Sequence, residues 1–260
     1  MSVKSIASGK PYLRDDIAVS YENPVFAQFI RPCFAEFLGA TLVTLSPCMA
    51  LVASLGSNPT GLVAAASSLS YAAMAMFPWI SGGHSNPAIS IGVCIGGGMK
   101  FILLPFYIIS HFLGSLVGSL LTRAFLTRDV YYKIQGGLTD VNFDLTTRGQ
   151  ALLCELIMTG IIVLCFIIVS LDNPHSKESS VGIAVGSTVA VSTLVAYPLT
   201  GASFNPAKTF GAAVVFSVFG VSNWRYHYIY WVGPTIGSIA AGILYRLVLA
   251  KDSSRWIFKA

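Results

Sequence analysis

Two copies of one tripeptide carry the residues best suited to chemistry: Asn86-Pro87-Ala88 and Asn205-Pro206-Ala207. Asn is a favoured helix N-cap, and Pro is tolerated at the first helical position because its missing N–H would have no partner there. Each tripeptide therefore predicts the start of a short helix. A helix N-terminus presents unpaired N–H groups and about half a positive charge, so it attracts oxygen atoms and repels cations.

Two acidic residues stand at matching distances from these tripeptides. Glu36 and Glu155 are 119 positions apart, and so are Asn86 and Asn205. The same offset holds without gaps for further pairs: Gly82 with Gly201, Gly114 with Gly233, Gly118 with Gly237 and Ser119 with Ser238. The sequence therefore predicts two copies of one structural unit.

The composition places these units in a membrane. Of the 260 residues, 54% are hydrophobic and 10% are charged, whereas soluble domains carry about 25% charged residues. A membrane helix needs about 20 mostly apolar residues. Six stretches have this character: 26–55, 61–79, 100–121, 150–171, 181–199 and 228–249. The net charge of +5 without a basic run argues against nucleic-acid binding.

The spans determine where the tripeptides lie. Each tripeptide falls in a segment too short and too glycine-rich to cross a bilayer, 81–98 or about 200–221. Irregular backbone at membrane depth is tolerated only when it is buried in protein or lines a water-filled cavity. Because three spans per half is an odd number, the two repeats, 26–125 and 148–249, must have opposite orientations. We therefore predict an all-α membrane bundle of six transmembrane helices plus two re-entrant half-helices, in an inverted 3+3 repeat.

Positive charges indicate the orientation of this bundle. With the N-terminus in the cytosol, ten Lys and Arg residues lie on the cytosolic side and six outside, as the positive-inside rule expects. The tails 1–25 and 251–260 are therefore predicted to be cytosolic and to flank one channel domain at 26–250. The loop 172–180, with one His and three Ser, is interpreted as a solvated linker. The alternative is a gate controlled by pH or phosphorylation.

The two half-helices are expected to meet N-terminus to N-terminus at the bilayer centre. Their fields would exclude cations and hydronium there, but not neutral polar molecules. If the carboxamides of Asn86 and Asn205 both donate to one passing oxygen, they turn that molecule and interrupt proton transfer along a water file. Backbone carbonyls of the two approaches are expected to line the pathway. The candidate lining residues are Gly82, Gly83, His84, Ser85, Gly201, Ser203 and Phe204.

The two membrane-embedded acids allow two interpretations. Each Glu could accept hydrogen bonds from the backbone of its own re-entrant loop, or the pair could titrate in a proton-coupled secondary active transporter. The duplication favours the first, because each repeat has an irregular loop that needs acceptors. A non-conducting junctional protein of the same fold is a further alternative, which the intact tripeptides disfavour. The sequence has no nucleophile–base pair, phosphate loop or metal-ligand spacing, so we predict no enzyme, cofactor or metal site.

Three stretches resemble the signatures of the aquaporins, or major intrinsic proteins. They are Ala35-Glu36-Phe37-Leu38-Gly39, Ser81-Gly82-Gly83-His84 before the first tripeptide, and Thr209-Phe210-Gly211 after the second. The resemblance extends over about residues 28–250, and the stretch 224–234 is most similar to the aquaporin-8 type. It implies a passive channel for water and small neutral solutes that excludes protons and ions, in a homotetramer with one pore per protomer. The bilayer would be the plasma membrane or that of an intracellular organelle.

The resemblance also implies a second constriction, the selectivity filter. Counted without gaps from the tripeptides, it falls on Ala66, Thr193, Ala202 and Lys208. The family usually has Arg in place of Lys208, and Lys keeps the positive charge on a more flexible side chain. Since the other three side chains are small, we expect a wide filter. It would pass water and small solutes such as ammonia, hydrogen peroxide, urea or glycerol.

Overall fold

The computed structural model describes residues 24–74, 77–172, 178–219, 224–251 and 255–257, and the regular structure in these ranges is entirely helical. Most of both predicted tails and the centre of the 172–180 linker, residues 173–177, lie outside the described residues. The helices of the described part are α1 (Phe26–Ala53), α2 (Thr60–Ala73), α3 (Pro87–Gly96), α4 (Phe101–Phe125), α5 (Arg128–Lys133), α6 (Arg148–Asp172), α7 (Glu178–Thr200), α8 (Pro206–Phe219) and α9 (Ile229–Leu249).

The predicted architecture is confirmed. The helices α1, α4, α6, α7 and α9 are long and apolar enough to cross a membrane, within the described ranges. The sixth predicted span corresponds to α2, which has 14 residues, and α3 and α8 are the two half-helices. Five-residue π-helical turns begin α1 and end α6 and α9.

The predicted C-terminal end of the second span was wrong. The sequence pattern extends this span to Trp79, whereas α2 ends at Ala73. Beyond it the backbone turns: the N–H of Phe77 bonds to the carbonyl of Met74, and the N–H of Ile80 to that of Phe77. Pro78 cannot donate a helical hydrogen bond, and residues 77–81 form turns instead of a helix.

Close helix pairs in each repeat depend on glycine. The helix α1 packs on α4, and α6 packs on α9 in the same way. A Cβ atom at Gly114 would lie 2.2 Å from the carbonyl oxygen of Phe37, and one at Gly237 would lie 2.2 Å from that of Leu156. Only a residue without a side chain allows these backbones to approach so closely.

The half-helices interlock the two repeats. The helix α3, from the first repeat, packs mainly on α9 and α6 of the second. Conversely, α8 packs mainly on α4 and α1 of the first repeat. Each half-helix therefore packs more on the membrane helices of the other repeat than on those of its own.

Polarity is distributed as expected for a lipid-embedded bundle. Large apolar side chains cover the outside: Leu69, Phe101 and Ile183 are 68%, 78% and 64% exposed. The interior contains charged and polar groups, among them Glu36 and Glu155, both fully buried. Since burying a polar group is costly unless it is hydrogen-bonded, the partners of these interior groups define the next level of structure.

The glycine contacts lead to a prediction on stability. Replacing Gly237 by Ala should lower the free energy of unfolding by about 1–3 kcal/mol, because the added methyl group forces the helices apart. The matched control is Gly61→Ala, where an added Cβ meets nothing within 4 Å; it should be neutral or stabilising. Thermal unfolding in detergent micelles measures both. Equal shifts for the two variants would contradict the importance of this contact.

Candidate functional site

Both asparagines cap their half-helices as predicted. The side-chain Oδ1 of Asn86 accepts a hydrogen bond from the N–H of Ala88 at 2.9 Å. The Oδ1 of Asn205 accepts from Ala207 N at 3.0 Å and from Lys208 N at 3.3 Å. Each carbonyl oxygen is thus occupied by its own half-helix, and each amide nitrogen points away from it.

The amide nitrogens join the two repeats. Asn86 Nδ2 donates to the carbonyl oxygen of Phe204 at 2.9 Å, and Asn205 Nδ2 donates to that of Ser85 at 3.3 Å. Because Ser85 and Phe204 are 119 positions apart, as the asparagines are, the two bonds are equivalent under the repeat. Both asparagine side chains are buried. The two half-helix N-termini therefore meet inside the protein, as the duplicated sequence predicts.

A tyrosine hydroxyl lies against both amides. The hydroxyl oxygen of Tyr71, on α2, is 3.2 Å from Asn86 Nδ2 and 3.4 Å from Asn205 Nδ2. An amide group has two N–H donors, so each asparagine bonds one opposite carbonyl and Tyr71. Sequence reasoning missed this residue. The available signal was a lone aromatic side chain in an otherwise small-residue stretch, fifteen positions before Asn86.

In the first repeat, Glu36 holds the re-entrant loop. Its Oε1 accepts from the N–H of His84 at 2.9 Å, and its Oε2 accepts from that of Ser85 at 2.6 Å. A third partner comes from α4, where His111 Nε2 is 2.7 Å from Oε2. The carboxylate thus bonds the backbone immediately before Asn86.

The second repeat repeats this arrangement with one change. Glu155 Oε1 accepts from the N–H of Ser203 at 3.1 Å, and its Oε2 accepts from that of Phe204 at 2.8 Å. The third partner here is the hydroxyl of Thr200, which donates at 2.7 Å. Thr200 is the repeat equivalent of Ser81, whose hydroxyl also bonds Glu36. The imidazole of His111 is therefore a partner that Glu36 has in addition.

These hydrogen bonds maintain an unfavourable backbone conformation. Ser85 and Phe204 have φ angles of 52° and 54°, in the left-handed region that residues with side chains rarely adopt. Such conformations persist only where surrounding contacts impose them. The glycines Gly82, Gly83 and Gly201 also have positive φ, which costs glycine little.

The start of each loop is fixed by a tyrosine. The hydroxyl of Tyr107 donates to the carbonyl of Ser81 at 2.8 Å, and that of Tyr230 donates to the carbonyl of Thr200 at 2.7 Å. The two acceptors are equivalent under the repeat, but the donors differ by one helical turn. The position equivalent to Tyr230 is His111, whose ring bonds Glu36 instead.

The side chain of His84 packs behind the loop. Its Nδ1 is 2.9 Å from the hydroxyl oxygen of Ser90 on α3, and its ring packs edge-on against Tyr107 and Phe166. The equivalent contact in the second repeat joins the hydroxyls of Ser203 and Thr209. Both contacts tie a loop to its own half-helix.

Tyr71 lines two small cavities. The first, which we call the Gly83 cavity, is lined by Tyr71, Gly82, Gly83, Met74 and Phe166 among others and measures about 20 Å³. The second, the Lys208 cavity, is lined by Tyr71, Ser67, Thr193, Ala202, Ser203, Phe204 and Lys208 among others and measures about 10 Å³. A cavity needs about 10–15 Å³ to hold one water molecule, so each has room for about one.

Three of the four predicted filter residues line the Lys208 cavity: Thr193, Ala202 and Lys208. On α2 the cavity is lined by Ser67, and the predicted Ala66 is its neighbour in sequence. The four-residue filter, Ala66 included, therefore stays a prediction.

Lys208 is held rather than free. Its Nζ donates to the carbonyl oxygen of Ala202 at 3.0 Å, and the side chain is buried. The residue follows Asn205-Pro206-Ala207 in the first turn of α8, so its ammonium group and the positive end of that helix lie on the same side of the cavity. The flexibility expected for this lysine is restricted by that bond.

Comparisons with known proteins agree with this geometry. The major intrinsic protein family matches residues 25–245. Aquaporin-8 of Notomys alexis is 32% identical over 238 residues, covering 90% of this chain and 88% of that protein. Aquaporin-4 of Rattus norvegicus is 35% identical over 251 residues, covering 94% and 75%. The aquaglyceroporin structure from Plasmodium falciparum superposes on this chain with a TM-score of 0.76 and 21% sequence identity. The superposition covers 85% of this chain and 97% of that one, and it supports the fold.

The carboxylate contacts lead to a prediction for each repeat. Glu36→Gln and Glu155→Gln should each destabilise the protein by about 1.5–3 kcal/mol, because hydrogen bonds to a charged acceptor are lost and an amide N–H₂ faces a backbone N–H. The control is Asp144→Asn at an exposed carboxyl group. Unfolding in detergent micelles measures the loss. Glutamine variants as stable as the control would show that the loops do not need these carboxylates.

Proposed function

The chain belongs to the major intrinsic protein family, and we propose that its pore is constricted where Asn86 and Asn205 meet. The protein is a passive membrane channel for water and small solutes and not an enzyme. The observation that carries the proposed constriction is the reciprocal pair of hydrogen bonds from each asparagine to the opposite loop. It brings two helix N-termini to one point in the protein interior.

Electrostatics at this point favours neutral molecules. Each N-terminus contributes about half a positive charge, and the surrounding protein screens these charges less than water would. A cation would have to give up its hydration shell beside two positive helix ends. A water molecule or another neutral polar solute meets hydrogen-bond donors instead, so protons and ions are excluded while neutral solutes pass.

The selectivity filter is proposed at the Lys208 cavity. Lys208 contributes a positive charge, and the predicted partners Ala66, Thr193 and Ala202, together with Ser67 of the cavity lining, contribute small neutral side chains. The relatives include a protein named an aquaglyceroporin, and small side chains are compatible with solutes larger than water. Ammonia, hydrogen peroxide, urea and glycerol are therefore candidates for passage through this filter.

The two buried acids are assigned a structural role. Glu36 and Glu155 each accept two backbone hydrogen bonds and have a third polar partner. Their oxygens are thus engaged with the loops rather than with the pathway, which disfavours proton-coupled transport. The uninterrupted pair of half-helices disfavours a non-conducting junctional role.

We extend this proposal to the assembly and its membrane. A single channel domain at residues 26–250 lies in the bilayer of the plasma membrane or an intracellular organelle, with both termini cytosolic. Its apolar outer faces contact lipid and three further copies in a homotetramer. Exposed apolar side chains on α2 and α7, such as Leu69 and Ile183, are suited to either contact.

Reconstitution tests the channel directly. Purified protein in phosphatidylcholine vesicles should raise the rate of osmotic shrinkage in stopped-flow light scattering several-fold over empty vesicles. Collapsing the proton gradient should not change this rate, and the vesicles should hold a pH gradient. A reconstituted protein that dissipated the pH gradient as fast as an ionophore would contradict the proposed exclusion of protons.

Substitution of Lys208 tests the filter charge. Lys208→Arg should keep water permeability within about twofold and keep cations out, because the positive charge remains. Lys208→Gln should raise sodium leak by about tenfold, as expected if ~1.4 kcal/mol of repulsion is lost. Sodium flux into vesicles loaded with an indicator dye measures this, with Lys133→Gln on the exposed helix α5 as control. An unchanged leak in Lys208→Gln would place the barrier to cations entirely at the half-helices.

A further inference from the structure

We propose that the hydroxyl group of Tyr71 occupies the position of a permeating oxygen atom between Asn86 and Asn205, and so limits which solutes pass. The inference rests on the proposed function, because it concerns the same pore at its midpoint. It goes beyond it by naming a residue of α2 that competes with the solute.

The donors of both asparagines are fully used. Each carboxamide has two N–H donors. One donates to the opposite loop, at Phe204 or Ser85, and the other is within hydrogen-bond distance of Tyr71. Each Oδ1 already accepts from its own half-helix. A solute can therefore bond these amides only where the tyrosine hydroxyl gives up its place.

The hydroxyl oxygen is a good substitute for water at this point. It has two lone pairs and one hydrogen, and both lone pairs face a donor here, one from Asn86 and one from Asn205. A water molecule passing between the same amides would accept the same two bonds. When water replaces the hydroxyl, the two amide groups keep their hydrogen bonds but the tyrosine hydroxyl loses both of its own. Displacement therefore requires movement of the ring and the breaking of these two bonds.

The ring of Tyr71 also lies at both cavities. Tyr71 lines the Gly83 cavity and the Lys208 cavity, and its side chain is 9% exposed. It packs in an apolar cluster with Val43, Phe166 and Val189. A solute that moves from one cavity to the other therefore meets this ring.

Selectivity follows from this arrangement. Water and hydrogen peroxide have oxygen atoms that can accept both amide bonds in place of the hydroxyl. The nitrogen of ammonia has one lone pair and can accept only one of them. Urea and glycerol are larger and need the whole ring to leave the pathway. The tyrosine thus favours small oxygen-containing solutes, although the filter side chains alone would admit larger ones.

Two substitutions separate the hydroxyl from the ring. Tyr71→Phe removes the competing oxygen and keeps the ring, so water permeability should rise by about threefold as two neutral hydrogen bonds no longer close the pathway. Tyr71→Val removes the ring as well, so water permeability should rise further and glycerol permeability should appear.

The control is Tyr228→Phe, at a tyrosine that is half-exposed and distant in sequence from both loops. Stopped-flow light scattering with water, urea and glycerol gradients on proteoliposomes measures each rate, normalised to protein content, and thermal unfolding reports whether each variant is folded.

The outcomes distinguish this inference from the proposed function. A rank order of Tyr71→Val above Tyr71→Phe above wild type, with glycerol flux only in Tyr71→Val, supports the role of Tyr71. Folded variants with the water and glycerol rates of wild type would overturn it and leave the channel function intact. A lower water rate in folded Tyr71→Phe would also overturn it, since the hydroxyl would then assist passage. If wild type and both variants all matched empty vesicles, the channel function itself would fail.

Discussion

Everything in this structure depends on satisfying the hydrogen bonds of two irregular loops inside a bilayer. Within the hydrocarbon, no water is available to bond a free N–H group. The loops before Asn86 and Asn205 leave the helical conformation at that depth, and their N–H groups need acceptors from the protein. Glu36 and Glu155 supply them in matching geometry. The carboxylates are thus the condition under which two helices can begin in the middle of the membrane.

From that condition the chemistry of the pore follows. Once the loops are fixed, the asparagines can cap their half-helices and still extend an amide to the opposite loop. The positive helix ends then face one another in a medium that screens charge weakly. The same bonds that hold the two repeats together orient the donors that a solute would meet. In the proposed channel, stability and selectivity therefore rest on one set of contacts.

Much of this arrangement was predictable from the sequence, because duplication makes weak signals strong. The offset of 119 positions identified both capping asparagines and both glutamates, and apolar length identified the membrane helices. The end of the second membrane span was not predictable in the same way, because apolar composition continues to Trp79, beyond the end of α2 at Ala73. Tyr71 was missed because its importance lies in a contact between elements, and the repeat has no second copy of it: the position 119 residues later is Ala190.

The exchange of half-helices between the repeats has a consequence for biosynthesis. As the chain leaves the ribosome, α3 is made long before α6 and α9, the helices on which it mainly packs. Until the second repeat has been inserted, the first repeat therefore lies in the membrane without the two helices on which α3 mainly packs. Its closing contacts are long-range in sequence, and such contacts form late. A chain interrupted after the first repeat would therefore lack the two helices on which α3 mainly packs.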